Sequence, residues 1–493
     1  MSLEKADLCV IGGGPAGYAA AMRGLDFNKK VILVEQNRIG GAGVHDGALS
    51  SKAWWEISRT YLTLKEKGEI FQFDRPKVDF KRIKKEISTA VFSWQDMLEH
   101  HVRVLREKHK TRFSFLLGTA KIIDRNKVSV LGQDGRETTL HVQNIVLATG
   151  SRPRRLSHIP IDEKIIVTSD GIHHFDDFPH SMVVLGAGVI GCEFATIFSN
   201  FGRTKVHMID KGNRILPFED EDVVAVIEKN MERKGILIHR NSRLSSMYIQ
   251  DGEVSYELEY SSGRKELFHV EKALVSVGRV PNYENLGLEK LGVQMDARGV
   301  VDNLTQTSVP NVYAVGDLTA DIALVNVGQL EGRYAVERIF DQAPRDLVYE
   351  NVSTIMFLHP EVAGVGINEI TAQKKKIPYR VASLNYECIP RAVAMRNTQG
   401  FVKILVTDDE DMKVLGMRVV GEGASSAVQG TALLIYMDKG VEELAELIHP
   451  HPSIIEGIQE CARMLLGKST LRPSLLPGAM SCRAYRSGKY SDI

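Results

Sequence analysis

The sequence predicts an α/β fold with two Rossmann-like units and a C-terminal α+β region. The first observation is a glycine-rich turn, Gly12–Gly17, that follows an apolar strand, and the second is a similar turn at Gly186–Gly191. The third is the stretch 346–466, which alternates apolar and polar residues and then becomes helical. That pattern is typical of an antiparallel sheet covered by helices. A chain of 493 residues has room for about three domains.

The first glycine-rich turn has the residues of a dinucleotide-binding site. The strand Asp7–Ile11 leads into it, an alanine-rich helix follows, and the next strand ends on Glu35. Gly12 permits the tight turn, Gly14 lets the backbone approach a pyrophosphate, and Gly17 lets the helix pack closely on the strand. The helix N-terminus attracts phosphate, and the carboxylate accepts hydrogen bonds from ribose hydroxyls. The predicted contacts are Gly12, Gly14, Pro15, Ala16, Gly17 and Glu35.

The second glycine-rich turn repeats this arrangement. It follows the strand Met182–Leu185, and the next strand, Lys205–Ile209, ends on Asp210. Two such units indicate two dinucleotides, or one dinucleotide and a relic of gene duplication. Asp210 favours NAD, because the 2′-phosphate of NADP would meet a like charge. Lys211 and Arg214 would partly offset that repulsion and leave NADP as the alternative, but we expect both in a solvated loop. The predicted contacts are Gly186, Gly188, Val189, Ile190, Gly191 and Asp210.

Composition excludes several other classes of protein. The 62 basic residues balance the 62 acidic ones, so net charge gives no argument for binding nucleic acid or an anionic membrane. The five cysteines are scattered without metal-ligand spacing, so no metal site is predicted and a reducing compartment is favoured. The N-terminus lacks the features of a signal peptide, and no apolar run is long enough to span a membrane. We expect a cytoplasmic protein.

Further motifs make a family resemblance specific. They are Ala148–Pro153, Val277–Asn282, Tyr313–Asp317, and His449–Ser453 followed by Glu456. With both glycine-rich units and the segment Gly40–Lys52, they resemble the pyridine nucleotide-disulfide oxidoreductases, the superfamily of dihydrolipoamide dehydrogenase and glutathione reductase. The resemblance covers residue 5 to about residue 466 and implies a homodimer. It divides the chain into an FAD domain in two parts (1–153 and 282–345), an NAD(P) domain (154–281), a dimerisation domain (346–466) and a C-terminal tail (467–493).

The resemblance also assigns the cofactors and a set of contacts. It places FAD on the first glycine-rich unit and NAD or NADP on the second. Asp317 matches the carboxylate that holds the flavin ribityl chain, and Gly150 matches a turn beside the FAD. Further cofactor contacts implied by the resemblance are Gly41, Lys52, Thr149, Glu193, Gly278, Arg279 and Gly316.

Four residues match the family's catalytic groups. Lys52 matches a lysine beside flavin N5, where a cation stabilises the charge that develops when hydride arrives. Glu193 matches the carboxylate that keeps this lysine charged and in place. His451 matches the histidine that the other subunit contributes, and Glu456 matches the carboxylate that orients its ring. Without a thiolate to serve, His451 either protonates another reduced acceptor or is an inherited interface residue.

The segment Gly40–Lys52 departs from the family at its central chemistry. The two redox-active cysteines of the family are replaced here by Gly43 and Ala48. Electrons from NAD(P)H should therefore stop at reduced FAD. Three electron acceptors remain for the reduced flavin: a second nicotinamide nucleotide, a diffusible acceptor such as a quinone, dye or oxygen, or a thiol from elsewhere. A thiol acceptor would need Cys482, in a tail that we expect to be flexible or to lie along the dimer partner.

We therefore predict an FAD-dependent NAD(P)H oxidoreductase with a small-molecule, non-disulfide acceptor, acting as a transhydrogenase or as a quinone reductase or diaphorase. Two alternatives are a dihydrolipoamide dehydrogenase-type protein with an altered site and a non-catalytic flavoprotein that senses NADH or has a structural role. His45 either caps backbone groups of its loop or takes part in catalysis. Trp54 and Trp55 either pack in the core, which we favour, or line the cavity left by the disulfide. Lys81–Lys110 is predicted to form an exposed helix.

Overall fold

A computed structural model describes residues 4–72, 76–319, 322–340 and 346–493. The helices are α1 (Pro15–Asp26), α2 (Gly41–Val44), α3 (Ala48–Phe71), α4 (Phe80–Lys108), α5 (Val189–Phe201), α6 (Glu221–Arg233), α7 (Leu288–Leu291), α8 (Val325–Ile339), α9 (Glu369–Lys374), α10 (Pro390–Ala394), α11 (Ala424–Ala427), α12 (Gln429–Tyr436), α13 (Glu442–Glu446) and α14 (Ile455–Leu465).

The strands, in chain order, are β1 (Glu4–Ile11), β2 (Val31–Glu35), β3 (Phe113–Asp124), β4 (Lys127–Gly132), β5 (Glu137–Leu147), β6 (Ser151–Pro153), β7 (Ile166–Thr168), β8 (Ser181–Leu185), β9 (Lys205–Ile209), β10 (Leu237–His239), β11 (Ser242–Gln250), β12 (Glu253–Tyr260), β13 (Lys265–Val270), β14 (Lys272–Val275), β15 (Arg279–Pro281), β16 (Asp302–Asn303), β17 (Gln306–Thr307), β18 (Val312–Ala314), β19 (Ser353–Met356), β20 (Val362–Gly366), β21 (Tyr379–Asn385), β22 (Phe401–Thr407), β23 (Val414–Val420), β24 (Met480–Arg486) and β25 (Lys489–Asp492).

The chain forms two compact units. The first contains residues up to Pro179, Met247–Ser255 and His269–Leu347, and the second contains His180–Ser246, Tyr256–Phe268 and Val348–Ile493. The five-part domain division stays a prediction, and its boundary at residue 345 lies outside the described residues.

The first unit is built on a large sheet. Strand β1 pairs in parallel with β2 on one side and with β5 on the other, and β18 runs parallel to β5. Strands β3, β4 and β5 add an antiparallel meander. Helix α1 packs closely on α8, because a Cβ at Gly332 would lie 2.1 Å from the carbonyl oxygen of Ala16. This close approach fixes the N-terminus of α1, where the first glycine-rich turn ends.

The second unit contains a parallel sheet and an antiparallel one. Strands β8, β9 and β10 pair in parallel, and helix α5 follows β8. The C-terminal sheet has the order β19-β20-β23-β22-β21-β24-β25 and is antiparallel. Its apolar core includes residues of α12, α13 and α14. The predicted fold class, with two Rossmann-like units and an antiparallel C-terminal sheet, is confirmed.

The C-terminal tail corrects one expectation. Residues 480–492 are not a flexible extension, because β24 pairs with β21 over Met480–Tyr485 and β25 pairs with β24. Cys482 is 7% exposed within this sheet. The tail is therefore an integral edge of the sheet, and the register with β21 fixes it.

Two other sequence predictions concern helices. The predicted exposed helix Lys81–Lys110 is present as α4, of which most residues are exposed. Across the described part of the chain, none of the helices combines the length and apolar character that crossing a bilayer requires. The cytoplasmic location stays a prediction.

Candidate functional site

The first glycine-rich turn is held under a buried carboxylate. Gly13 N donates to Glu35 Oε2 at 2.7 Å, and Asn37 N donates to Glu35 Oε1 at 2.8 Å. Gly12 has φ +107°, a conformation that favours glycine. A Cβ at Gly17 would lie 1.9 Å from the carbonyl oxygen of Gly12, so only glycine lets α1 approach the turn this closely. Gly12 therefore makes the tight turn, and Gly17 allows the close packing, that the sequence predicted for them.

The same turn leaves room for a phosphate group. A Cβ at Gly14 would meet nothing within 4 Å among the described residues. Gly14 caps α1 without a side chain, and Pro15 follows at the start of the helix. The first N–H groups of a helix have no partner within it, and together with the helix dipole they form an anion site. An open backbone surface beside these groups fits the pyrophosphate of FAD.

The segment after the second strand runs directly over this turn. Gly40 N donates to Gly13 O at 2.9 Å, and Gly41 has φ +50°. A Cβ at Gly41 would lie 3.1 Å from Gly14 Cα. The predicted contact Gly41 is thus brought beside Gly14, on the surface that would face the pyrophosphate.

The two positions that carry cysteines in the family are shaped differently. A Cβ at Gly43 would lie only 2.6 Å from Pro15 Cγ, so the Pro15 ring occupies the space that a cysteine side chain would need. Ala48 is the first residue of α3 and is partly exposed. Helix α2 ends at Val44, and a break over residues 45–47 separates it from α3. A side chain at position 43 would therefore collide with Pro15 in this conformation, and position 48 lies at the partly exposed start of α3.

His45 lies in this break and is 8% exposed. Its Nε2 lies 2.9 Å from Ile39 O, and its Nδ1 has no hydrogen-bond partner among the described residues. The contact with Ile39 fits the backbone-capping interpretation. Trp54 and Trp55 are 1% and 4% exposed, and the Trp54 ring packs against Phe80 with a centroid distance of 5.6 Å and a tilt of 44°. The core interpretation of the two tryptophans therefore agrees with the structure.

A hydrogen-bonded cluster surrounds Asp317. Ser151 Oγ donates to Asp317 Oδ2 at 2.6 Å, and Arg279 Nε donates to Ser151 Oγ at 2.8 Å. Arg279 Nη2 also donates to Ser151 O at 2.8 Å. The turn at Gly316 approaches α1, since a Cβ there would lie 3.2 Å from Ala16 Cβ. Asp317 is therefore oriented by its neighbours and placed close to the first glycine-rich turn.

Neighbouring residues complete this part of the site. Thr149 Oγ1 donates to Asn282 O at 2.6 Å, and Asn282 Nδ2 donates back to Thr149 O at 3.0 Å. Gly150 has φ +67° and Gly278 has φ +99°, and both positions leave open space where a Cβ would stand. Ser151 and Asn282 were not among the predicted site residues, although both stand within the motifs that carry the resemblance. Their contacts join two strands far apart in sequence, so only the fold reveals them.

Lys52 lies on α3 and is partly buried, and its Nζ lies 3.4 Å from Ser51 Oγ. Glu193 lies on α5, is 4% exposed, and accepts the Phe357 N–H on Oε1 at 3.0 Å. The two residues belong to different compact units. Their pairing beside a flavin stays a prediction.

The second glycine-rich turn has the construction of the first. Ala187 N donates to Asp210 Oδ2 at 2.8 Å, and Gly212 N donates to Asp210 Oδ1 at 2.9 Å. Gly186 has φ +104°, and a Cβ at Gly188 would meet nothing within 4 Å among the described residues. Val189, Ile190 and Gly191 form the first turn of α5. The open N-terminus of α5 and the anchored carboxylate fit a second dinucleotide.

His451 and Glu456 form the predicted pair. His451 Nδ1 lies 2.8 Å from Glu456 Oε1, and Ser453 N donates to Glu456 Oε2 at 2.8 Å. Burial opposes ionisation of Glu456, but the bond to His451 and the N–H of Ser453 lower its pKa overall. The His451 side chain is 69% exposed. The carboxylate thus fixes one ring nitrogen while the imidazole remains accessible at the surface of the second unit.

None of the five cysteines is disulfide-bonded. Burial raises the pKa of Cys9 to about 12 and that of Cys482 to about 11, and it raises the pKa of Cys192 and Cys461 well above the usual range. Cys388, which is partly buried, also has a raised pKa. Because the thiolate is the reactive form, none of these groups resembles a redox-active thiol. Cys482 does not provide the mobile thiol that electron transfer from the flavin to a thiol elsewhere in the chain would require.

Comparison with known proteins agrees with this geometry. The family model described as pyridine nucleotide-disulphide oxidoreductase matches residues 6–332, and the model for its dimerisation domain matches residues 352–462. Dihydrolipoyl dehydrogenase from Geobacillus stearothermophilus is 32% identical over 466 residues, which cover 94% of this chain and 97% of that protein. The mitochondrial dihydrolipoyl dehydrogenase from Schizosaccharomyces pombe is 32% identical over 462 residues, covering 92% of this chain and 88% of that protein.

Solved structures give the same result. LpdA from Mycobacterium tuberculosis superposes with a TM-score of 0.84 at 26% identity, over 93% of this chain and 99% of that one. The HOCl-induced flavoprotein disulfide reductase RclA from Escherichia coli superposes with a TM-score of 0.81 at 22% identity, over 93% of this chain and 100% of that one. The second likeness concerns the fold alone.

Proposed function

The chain belongs to the pyridine nucleotide-disulphide oxidoreductase family, and on this premise we propose that it passes electrons from NAD(P)H to a non-disulfide acceptor. Members of this family use FAD and NAD(P), and these are the cofactors of this chain. The acceptor in this proposal is a small molecule, either a quinone or dye or a second nicotinamide nucleotide. The matching dimerisation domain supports a homodimer.

One observation carries the proposal: the chain has no thiols where the family has its redox-active pair. Gly43 and Ala48 occupy these positions, and the Pro15 ring lies where the side chain of a cysteine at position 43 would begin. The five cysteines elsewhere have pKa values raised by burial, so no thiolate replaces the missing pair. A disulfide substrate therefore has no partner for thiol exchange.

The residues for the flavin side of the reaction remain. The Gly12–Gly17 turn, Glu35 and Asp317 would hold FAD, which would supply two-electron chemistry with NAD(P)H. In our proposal Lys52 provides a positive charge for the reaction, and Glu193 keeps that lysine ionised. His451, oriented by Glu456, would supply a proton to a reduced acceptor. Retention of these four residues argues against a purely structural flavoprotein.

The names of the relatives suggest another activity. Several relatives are named dihydrolipoyl dehydrogenase, but a reaction on a dithiol substrate requires the thiol pair that this chain lacks. We therefore propose that lipoamide is not a substrate, although fold and cofactors are shared with those enzymes.

A comparison of acceptors tests the proposal. The purified FAD protein is reduced with NADH in the absence of oxygen, and a quinone, thio-NADP⁺ and lipoamide are then added to separate samples. We expect the flavin to be reoxidised by the quinone or by thio-NADP⁺ and to stay reduced with lipoamide. A dihydrolipoyl dehydrogenase that has both cysteines is the positive control, because its reduced flavin should be reoxidised by the same lipoamide sample. Turnover of lipoamide, or failure of NADH to reduce the flavin, would overturn the proposal.

A further inference from the structure

A loop of residues 211–220 joins the second dinucleotide unit to helix α6. It follows Asp210, whose carboxylate accepts the N–H groups of Ala187 and Gly212 at 2.8 Å and 2.9 Å. Within the loop, Leu216 N donates to Ala187 O at 2.9 Å. The loop is therefore bound directly to the second glycine-rich turn, so a change in the loop would move the turn that we assign to the nucleotide.

This loop is only partly the solvated segment that the sequence suggested for Lys211 and Arg214. Lys211 is exposed as expected, but Arg214 is partly buried, and its Nη2 donates to Pro217 O at 3.0 Å. The expectation of a solvated side chain is therefore wrong for Arg214. The loop also contains the buried residues Ile215, Leu216, Glu219 and Asp220. Its conformation is thus fixed by packing as well as by hydrogen bonds.

Leu216 has a backbone conformation that is unfavourable for leucine. Its φ is +43°, in the left-handed region, where a Cβ crowds the following carbonyl oxygen. Its side chain is fully buried, with 0% exposed. A residue keeps such a conformation only where the surrounding structure holds it. The loop therefore depends on contacts at its other end to stay bound to the glycine-rich turn.

Residues of the C-terminal sheet region hold the other end of the loop. Asn368, the N-cap of α9, donates from Nδ2 to Phe218 O at 2.8 Å. Arg418, on β23, donates from Nε to Glu219 Oε2 at 2.9 Å, and both side chains are buried. Breaking a buried ion pair leaves an uncompensated charge, so this contact resists opening. The loop is therefore fixed to the sheet immediately before α6 begins.

A series of buried charged groups connects the last loop residue to the C-terminal tail. Lys403 Nζ lies 2.8 Å from Asp220 Oδ2 and 2.9 Å from Glu369 Oε1. Tyr490 Oη, on β25, donates to the other oxygen of the same carboxylate, Glu369 Oε2, at 2.6 Å. Asp220, Lys403 and Glu369 are 2%, 0% and 7% exposed, so solvent screens these contacts little. The tail is therefore linked to the loop through two intervening side chains.

The tyrosine at the end of this series lies outside the part of the chain that matches the family. The dimerisation-domain model ends at residue 462, whereas β25 begins at Lys489. Gln373 Nε2 donates to Tyr490 Oη at 2.9 Å, which leaves the hydroxyl proton for Glu369. Strand β25 therefore gives Glu369 a contact that comes from beyond the matched domain.

We propose that β25 is a positioning element for the nicotinamide nucleotide: through Tyr490, Glu369 and Lys403 it holds the 211–220 loop in its strained conformation beside the second glycine-rich turn. This rests on the proposed function only in that the second unit binds the nucleotide, and it does not depend on the acceptor. Molecules in which the loop has moved bind the nucleotide poorly, so the measured dissociation constant rises as their fraction grows. Once the nucleotide is bound, the chemistry at the flavin is the same.

Hydrogen exchange in the FAD-loaded protein without nucleotide tests the link itself. Tyr490→Phe removes only the hydroxyl that contacts Glu369. We expect the protected amides of residues 211–220, among them Leu216 N–H, to exchange about three- to tenfold faster in this variant, which is the effect of about one hydrogen bond. Tyr248→Phe makes the same change at an exposed tyrosine and should leave the exchange as it is. Equal exchange of the loop in Tyr490→Phe and the parent protein would overturn the proposal.

Binding of NAD⁺ to the oxidised FAD protein measures the consequence for the nucleotide, since no electron transfer follows. In calorimetric titrations we expect Tyr490→Phe to raise the dissociation constant about three- to tenfold. The limiting rate of flavin reduction at saturating NADH should stay at the parent value. A fold that is merely less stable would lower the number of binding sites per chain and leave the affinity unchanged. An unchanged dissociation constant in Tyr490→Phe would therefore contradict the positioning role.

A second substitution assigns the effect to the carboxylate between the tail and Lys403. Glu369→Gln removes the charge that Lys403 binds, so it should weaken NAD⁺ binding by itself. Adding Tyr490→Phe to this variant should then change the affinity by less than about twofold, because the link is already broken. Fully additive effects would show that Tyr490 does not act through Glu369, and the proposal would be wrong. Acceptor turnover in the same samples reports separately on the proposed function.

Discussion

Gly43 shows how a single residue decides which chemistry this fold retains. Its backbone lies so close to Pro15 that a Cβ would stand 2.6 Å from the ring carbon Cγ. A glycine fits this space, whereas a side chain must displace either the proline or the loop. Glycine at position 43 therefore lets the Pro15 ring lie directly against this backbone.

Reintroducing the first cysteine should for this reason destabilise the protein. We expect Gly43→Cys to lower the free energy of unfolding by about 1–3 kcal/mol, because the new side chain is forced against Pro15. Ala48→Cys, at a partly exposed position, should change it by no more than about 0.5 kcal/mol. Chemical denaturation measures both values. The loss of stability should be smaller in a Pro15→Ala background, and a Gly43→Cys variant as stable as the parent would contradict the close packing of Pro15 on Gly43.

Lys52 is the residue on which the hydride step depends in the proposed function. Replacing it with methionine removes the positive charge and keeps the length of the side chain. We expect the rate of flavin reduction by NADH to fall on the order of 100-fold, as for removal of one preorganised electrostatic contact. Stopped-flow absorbance measures this rate. Lys65→Met removes an exposed lysine from the same helix and should leave the rate unchanged. Equal rates for both variants would exclude Lys52 from the reaction.

Among the elements, the C-terminal strands β24 and β25 were unexpected. Tyr490 on β25 donates to Glu369 Oε2 at 2.6 Å, and Tyr379 on β21 donates to the same oxygen at 2.9 Å. Tyr379 and Tyr485 also stack with a centroid distance of 5.1 Å. The edge of the sheet is thereby joined to the buried carboxylate of Glu369.

This connection gives a prediction about the tail. Tyr490→Phe should lower the free energy of unfolding by about 1.5 kcal/mol, because the carboxylate loses a hydrogen bond from a hydroxyl. Tyr248→Phe changes an exposed tyrosine and is the control. Removal of residues 479–493 should be more damaging, since it uncovers the edge of β21. Thermal unfolding of the three variants measures the order of the effects. An unchanged melting temperature in the truncated chain would show that the strands are dispensable.

The glycine-rich units could be predicted from sequence because their geometry is local. Each is fixed by neighbouring residues: a strand, a tight turn, a helix start and a carboxylate at the end of the next strand. The tail depends on partners distant in sequence, since β24 pairs with β21. The C-terminal tail is rich in serine, arginine and glycine, and this composition gave no indication that β24 pairs with β21.

At the scale of the whole second unit, one buried lysine connects several elements. Lys403 on β22 is 0% exposed and lies 2.8 Å from Asp220, 2.8 Å from Asp222 and 2.9 Å from Glu369. The nearby Arg418 binds Glu219 at 2.9 Å. These ion pairs fix the start of α6, close in sequence to the loop after Asp210, against the C-terminal sheet.

Removing this lysine should be strongly destabilising. Lys403→Met leaves buried carboxylates without a counter-charge, and we expect a loss of about 3–5 kcal/mol in the free energy of unfolding. Lys413→Met breaks an exposed pair with Asp438 and should cost less than about 1 kcal/mol. Urea denaturation of both variants measures the difference. Similar losses for the two would mean that burial of Lys403 has no energetic importance.

The same cluster predicts a loss of stability in acid. Burial opposes ionisation of Asp220 and Glu369, but Lys403 lowers the pKa of each below its ordinary value of 3.8 or 4.5. The unfolded chain therefore binds protons first, so this stabilisation is complete above pH 4.5 and declines as the pH falls through the lowered values. Unfolding measured from pH 7 downward should show this decline. A Lys403→Met variant with the same acid dependence as the parent protein would contradict the assignment.

The central claim, that no disulfide in this protein accepts electrons from the flavin, is tested most directly by an anaerobic reductive titration. Dithionite is added to the FAD protein, and flavin absorbance is followed to completion. Because flavin and disulfide each take two electrons, a disulfide reductase consumes two equivalents for each FAD. We predict that this protein consumes one equivalent and shows no thiolate-to-flavin charge-transfer absorbance. Consumption of a second equivalent, or appearance of that absorbance, would contradict the account.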